Sequence, residues 1–220
     1  MPDIDLDRAR SNMVKQQIQP WEVLDSQVLD ALGIVPRERF VPPRYRNLAF
    51  ADIQVPIGHD QVMMFPTVEG RMLQILAVRP SDMVLEVGTG TGFVTALLAR
   101  FAKHVYSVDV QGDFLESASE RLASLGITNV TLEQGDAANG WDRHAPYDVI
   151  VLAGSVSEIP DAFLRSLRHG GRLFAVVGEA PVMEACLVIR TGDDAYARED
   201  VFETVLPPLI SATSSQRFSF

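Results

Sequence analysis

From Met83 onward, short apolar runs alternate with stretches whose apolar residues recur at helical spacing. The runs "MVLEVG", "HVYSVDV", "NVTLEQG", "YDVIVLAG" and "RLFAVVG" have the length and composition of strands. Between them, "FVTALLARF", "DFLESASERLASLG" and "DAFLRSLRHGG" read as helices, the last two ended by glycine. "YDVIVLAG" is almost wholly apolar, as a strand covered on both faces must be. "EACLVIRTG" and "REDVFETVLPPLI" add two final strands. The alternation predicts an α/β fold, a doubly wound, mostly parallel seven-stranded sheet of Rossmann-like type. Its crossovers are right-handed and its ligands lie at the carboxyl ends of the strands.

Before Met83 the periodicity is helical and interrupted. "LDRARSNMVKQQI" carries Leu6, Met13, Val14 and Ile18 at roughly helical spacing, and "DSQVLDAL" opens with Asp25 as a cap. In "VPRERFVPP", Pro36, Pro42 and Pro43 end the helix, and extended chain is expected there. "GHDQVMMFPT" (Gly58 to Thr67) reads as a loop between turn signals, and "TVEGRMLQIL" as a helix capped by Thr67. The expected organisation is an N-terminal helical and loop extension over 1–66, a ligand-binding domain over 67–210 and a loose polar tail over 211–220. No internal repeat or low-complexity block interrupts it.

Charge and composition narrow the function classes. Of 220 residues, 29 are acidic and 19 basic, for a net charge of −10, which disfavours a nucleic-acid partner. No run approaches the roughly 18 apolar residues of a membrane span. The N-terminal "MPDIDLDRAR" lacks the apolar core of a signal peptide. A single cysteine, Cys186, points to a reducing compartment, and a cytoplasmic protein is expected. The four histidines, 59, 104, 144 and 169, lack ligand spacing, so no metal site is expected.

"LEVGTGTGF" follows the first strand of the alternating region, where such a sheet places a ligand loop. Gly88, Gly90 and Gly92, with Thr89 and Thr91 between them, let the backbone turn sharply and approach a ligand closely. A dinucleotide-binding loop needs a glycine three residues after the second, and Phe93 stands there. Glu86 precedes the loop. Asp109 ends the second strand, with Val110 beside it, and can accept hydrogen bonds from both hydroxyls of a ribose. Asp136 and Ala137 follow the third strand, near an adenine edge. Glycine loop, ribose acid and adenine acid, in that order, resemble the class I S-adenosylmethionine methyltransferases. The place after the fourth strand reads "VLAGSVSEIP", without the Asn/Asp-Pro-Pro-aromatic run of enzymes that methylate exocyclic amines.

Motifs in order along the chain resemble the protein-L-isoaspartate O-methyltransferase family. They are "VLDALGIVPRERFVPP", "VPIGHDQ", "LEVGTGTGF", "HVYSVD", "GDAANGW", "APYDVIVLAG", "EIP" and "LRHGGRLFAVVG", with a weaker echo at "VLPPLI". The resemblance implies methyl transfer from S-adenosylmethionine to an L-isoaspartyl carboxylate in a protein or peptide. It gives the cofactor roles to Glu86, Gly88, Gly90, Gly92, Asp109 and Asp136. Family members typically read Gly-x-Gly-Gln-Thr-Ile-Ser-Gln-Pro where this chain has "GHDQVMMFP". Gly58, Gln61 and Pro66 are kept, but Val62, Met64 and Phe65 replace the threonine, serine and glutamine. Three polar groups suited to an isoaspartyl carboxylate are therefore missing.

Gln61, Val62, Met63, Met64 and Phe65 are the candidate substrate-side residues. The apolar run has three readings: packing under the following helix, lining an apolar acceptor pocket, or binding a partner chain. Gln61 either orients a substrate or belongs to a turn. Ser155 and Ser157 follow the fourth strand and either touch substrate or form a turn, while Cys186 is expected in the core. "GDDAYARED" reads as a solvated hairpin. Two alternatives accompany the isoaspartyl reading: a same-fold methyltransferase with a more apolar, small-molecule acceptor, and a silent cofactor-binding interaction protein. Catalytic residues and oligomeric state are left open.

Overall fold

The computed structural model describes residues 5–212. The chain opens with α1 (Leu6–Asn12), whose N-cap Asp5 accepts a hydrogen bond from the Arg8 N–H at 3.0 Å. It continues as a π-helical turn over Met13–Ile18 and a 3₁₀ turn over Gln19–Trp21. The helix α2 (Ser26–Ile34) is capped by Asp25, as expected, through the Gln27 N–H at 2.8 Å. The proline-rich stretch after it is not extended. It forms 3₁₀ turns at Arg37–Arg39 and Pro43–Leu48, because a proline φ near −65° also suits the first turn of a helix.

The expected loop around Gly58 is an antiparallel hairpin, β1 (Val55–Gly58) and β2 (Gln61–Met63), with Val55 opposite Met63. His59 and Asp60, both at positive φ, make its turn. Next comes α3 (Pro66–Leu76), which Thr67 does not cap. Phe65 holds the N-cap position, Pro66 opens the helix, and the Thr67 hydroxyl donates to Asp52 Oδ1 at 3.0 Å.

The sheet follows, with strands β3 (Met83–Val87), β4 (His104–Asp109), β5 (Val130–Gln134), β6 (Tyr147–Val156), β7 (Leu167–Glu179), β8 (Val182–Arg190) and β9 (Tyr196–Glu203). The helices α4 (Phe93–Ala99), α5 (Gly112–Ser124) and α6 (Asp161–Ser166) connect its parallel part. Strand order is β5-β4-β3-β6-β7-β8-β9, and only the last two pairings are antiparallel. The expected α/β doubly wound sheet of seven strands is the one formed. Successive residues of β6 go to opposite cores: Val149 and Val151 to one cluster, Ile150 and Leu152 to the other. That burial on both faces accounts for the unbroken apolar run.

Two expected boundaries differ. The helix in "DAFLRSLRHGG" stops at Ser166, and Leu167 already pairs with Tyr147 as part of β7. "VLPPLI" is not strand; it crosses the end of β6, where Ser155 N–H donates to the Pro207 carbonyl and Leu209 N–H to the Ser155 carbonyl, both at 2.9 Å. Ser155 is thus a buried strand residue rather than part of a turn. Cys186 is in the core. Most of the expected tail lies outside the described residues. Among the described residues no helix is long and apolar enough to cross a membrane.

Candidate active site

β3 and β6 are neighbours from which the chain winds in opposite directions, so a cleft opens at their carboxyl ends. Gly88, just after β3, and Ala153 of β6 face each other across it; a Cβ on Gly88 would lie 3.4 Å from that of Ala153. Gly88, Gly90 and Gly92 have φ of 97°, 50° and 83°. An L side chain at any of the three would be strained, and one at Gly92 would also press on Ala118 of α5 at 2.9 Å. The loop therefore presents bare backbone to the cleft.

One cavity runs from this loop along the ends of β4 and β5. Its lining includes Gly88, Gly90, Asp109, Val110, Asp136 and Ala137, with Ile57, Gln61 and Val62 of the hairpin opposite. Asp109 is held in place: Oδ2 accepts from Gly90 N–H and Oδ1 from Gln111 N–H, both at 2.9 Å. Burial pushes its pKa up, and these backbone donors oppose the shift. Asp136 is exposed, and its Oδ1 accepts from Ala138 N–H at 3.1 Å.

A second compartment lies on the other side of the glycine loop. Thr89, Thr91, Phe93, Met63, Met64 and Glu69 are among its walls, and it shares Val62, Gly88 and Gly90 with the first. The two compartments suit S-adenosylmethionine. Two strand-end carboxylates can accept from hydroxyl or amino groups, apolar side chains can flank a purine, and bare backbone can lie against the rest.

Glu86 does not line either compartment. It is fully buried behind the loop, where Oε2 accepts from the Thr95 hydroxyl at 2.5 Å and the Ser107 hydroxyl at 2.6 Å. Thr89 and Ser107 share a further hydrogen bond at 2.7 Å. Burial drives the Glu86 pKa up to about 8 against those donors. Glu86 therefore shapes the loop from beneath. Gly92 likewise faces α5 and not the cavity.

The third space is an open groove of about 990 Å³ bounded by the hairpin tip, the ends of β6 and β7 and the segment 205–212. It meets the first cavity at Gln61, Leu209 and Ile210. Gln61 Nε2 donates to the Pro208 carbonyl at 3.3 Å, and Ser155 and Ser157 are on the wall. Of the five candidate substrate-side residues only Gln61 lines this groove. Met63 and Met64 are buried in the core cluster that also holds Val68 and Leu206, and Phe65 packs against that cluster. The apolar run is thus core on one side and a wall of the second compartment on the other. Val62, Met63 and Met64 line the second compartment, and none of Val62 to Phe65 lines the open groove.

Sequence reasoning missed Arg37 and Glu69. Both are fully buried and ion-paired through Nη1 and Oε2, and Arg37 Nη2 also donates to the Met64 carbonyl at 2.8 Å. A usable signal was present. Glu69 stands in register with Met72, Leu73 and Leu76, at i, i+3, i+4 and i+7 on the buried stripe of α3.

Comparison with known proteins agrees with this geometry. The family model described as protein-L-isoaspartate(D-aspartate) O-methyltransferase matches residues 8–214. The protein-L-isoaspartate O-methyltransferase 2 of Pelobacter propionicus is 38% identical over 92% of this chain and 91% of its own. The Protochlamydia amoebophila protein-L-isoaspartate O-methyltransferase is 36% identical over 94% and 99%. Among solved structures, a protein-L-isoaspartate O-methyltransferase superposes with a TM-score of 0.76 at 24% identity, over 90% of this chain and 65% of that one. A putative one from Plasmodium falciparum, in complex with S-adenosyl-L-homocysteine, gives 0.76 at 16% identity, over 91% and 97%. These two likenesses speak for the fold. The match along nearly the whole sequence decides the family: the chain belongs to the protein-L-isoaspartate(D-aspartate) O-methyltransferases and is an S-adenosylmethionine-dependent methyltransferase.

Proposed function

We propose that the acceptor is the carboxylate of L-isoaspartyl residues in proteins or peptides, and that it reaches the donor from the open groove. The supporting observation is the junction of groove and donor cavity at Gln61, Leu209 and Ile210. A peptide segment lying along the groove would bring a side-chain carboxylate to that junction. The apolar substitutions at Met64 and Phe65 count little against this reading, because neither residue lines the groove.

Asp109 and Val110 would hold the ribose end of the donor, Asp136 and Ala137 its adenine, and Gly88, Thr89, Gly90 and Thr91 its methionine portion. When bound, S-adenosylmethionine supplies an electrophilic methyl group, whose transfer to a carboxylate oxygen leaves an ester and a neutral thioether. A carboxylate is already ionised near neutral pH, so no general base is required of this chain. Its residues instead align the oxygen and exclude water; the hairpin roof of Ile57 and Val62 does the second. Val62, where family members typically carry threonine, lines both compartments and not the groove, so the missing hydroxyl slows transfer in this scheme without changing the acceptor. A reducing cytoplasm accords with the single cysteine being a buried thiol.

The test offers an isoaspartyl peptide, its aspartyl isomer and labelled donor, and measures base-labile methyl ester. Ester on the isoaspartyl peptide alone is expected. Transfer to neither peptide, with the donor bound, would refute the acceptor assignment.

A further inference from the structure

Glu69 is a charged residue where the fold calls for an apolar one. It sits on the buried stripe of α3, its side chain 1% exposed. Removing a carboxylate from water is costly, and only well-placed partners offset that. Arg37 supplies one partner. It grips Oε2, while its guanidinium lies 4.8 Å over the Phe93 ring and its Nη2 is anchored on the Met64 carbonyl. The other oxygen, Oε1, is buried and has no hydrogen-bond partner. Glu69 is also a wall of the compartment that holds Gly88, Thr89, Gly90 and Thr91. A buried carboxylate, fixed on one oxygen and unsatisfied on the other, thus borders a ligand cavity.

The cavity geometry identifies what would complete it. With adenosine at Asp109 and Asp136, the remainder of the donor extends past the glycine loop into the compartment bordered by Glu69. That remainder carries one primary ammonium group. We propose that Glu69 Oε1 accepts a hydrogen bond from the α-ammonium of the donor's methionine portion, and that Arg37 positions the carboxylate for it. The assignment rests on the donor orientation proposed above. Burial drives the Glu69 pKa up to about 7 in spite of Arg37, with Asp52 adding slightly to the rise. A second cation at Oε1 favours the ionised form.

A purely structural ion pair needs no second partner, so ligands that differ in the ammonium separate the two roles. Affinities of wild type and Glu69→Gln would be measured by calorimetry for S-adenosylhomocysteine, its analogue lacking the α-amino group, and 5′-methylthioadenosine, which lacks the whole amino-acid end. In wild type, removing the amino group should weaken binding by about 10- to 100-fold, the range for a hydrogen bond to a charged group. Glu69→Gln should weaken S-adenosylhomocysteine by a similar factor and leave 5′-methylthioadenosine within about twofold. S-adenosylmethionine should lose as much as its product, since both carry the ammonium; a loss confined to S-adenosylmethionine would place the carboxylate at the sulfonium and overturn the assignment. Equal binding of the deaminated analogue and S-adenosylhomocysteine to wild type would overturn it without any variant. Failure of 5′-methylthioadenosine to bind wild type would overturn the adenosine site instead.

Discussion

His59 Nε2 lies 3.0 Å from Asp113 Oδ2, which ties the tip of the β1–β2 hairpin to the first turn of α5 across the donor cavity. The imidazole also meets the Phe114 ring edge-on, with centroids 5.2 Å apart. The hydrogen bond from His59 holds the Asp113 carboxyl below its ordinary pKa. Ile57, Gln61 and Val62 of the same hairpin roof the cavity that α5 and the strand ends floor. Lifting the roof away from α5 would therefore break this contact.

Asp113→Asn is expected to speed dissociation of S-adenosylhomocysteine by roughly two- to fivefold, the scale of an exposed ion pair. The melting temperature should hardly move, because both side chains are solvated. Stopped-flow displacement measures the rate. An unchanged rate would mean that the hairpin does not gate the donor.

Glu86 supplies a prediction about pH. Its folded pKa, pushed up to about 8, exceeds the ordinary glutamate value of 4.5, so the unfolded chain loses this proton first as pH rises. The native state then binds more protons than the unfolded state between those values, and its stability falls through that window. Glu86→Gln removes the effect. Its melting temperature relative to wild type should rise progressively from about pH 4.5 to about pH 8 and level off above. A constant difference across the range would show that the carboxyl titrates normally.

The strands of the sheet, the glycine loop and the two acids at strand ends were legible because each has a local signature. Apolar runs between helical periods mark β3 to β8, and Asp109 and Asp136 follow from where β4 and β5 end. The β1–β2 hairpin was not legible. Its turn places His59 and Asp60 at positive φ without the Asn-Gly or Gly-Gly pair that normally marks such turns. Nor did local sequence reveal that Met64 and Phe65 would join a core that includes Leu206 from the far end of the chain. The Arg37–Glu69 pair joins residues on separate elements, so only the misfit of Glu69 on its stripe hinted at it.

Two substitutions, at Val62 in the hairpin and at Met64 just beyond it, separate cavity lining from core packing. Val62 is half-buried and lines both donor compartments, so Val62→Thr adds a hydroxyl at the cavity. An increase of about 3- to 30-fold in kcat/KM for an isoaspartyl peptide is expected, the worth of one or two hydrogen bonds. Met64 is 3% exposed and belongs to the main core. Met64→Ser should cost about 2–4 kcal/mol of stability, as other large-to-small core changes do, and bring no gain in activity. Chemical denaturation and peptide kinetics on both variants check the pair. A gain from Met64→Ser would mean that the side chain reaches the acceptor.

Gly154 controls the opposite wall. A Cβ there would lie 2.8 Å from Leu209 Cδ2 and 2.9 Å from the Leu209 backbone nitrogen, which cannot yield as a flexible side-chain tip can. Gly154→Ala therefore pushes the segment carrying Pro207 and Leu209 off the end of β6 and weakens its two hydrogen bonds to Ser155. That segment supplies Val205 to Ala212 to the groove, but only Leu209 and Ile210 to the donor cavity. KM for an isoaspartyl peptide should consequently rise by about tenfold or more, with a smaller loss of S-adenosylhomocysteine affinity, since about 1–3 kcal/mol is typical of overpacking. Gly33→Ala is the control: it sits in α2 with open space around it, and should raise stability by about 0.5–1 kcal/mol. If Gly154→Ala weakened the donor more than the peptide, the groove would not be where the acceptor lies.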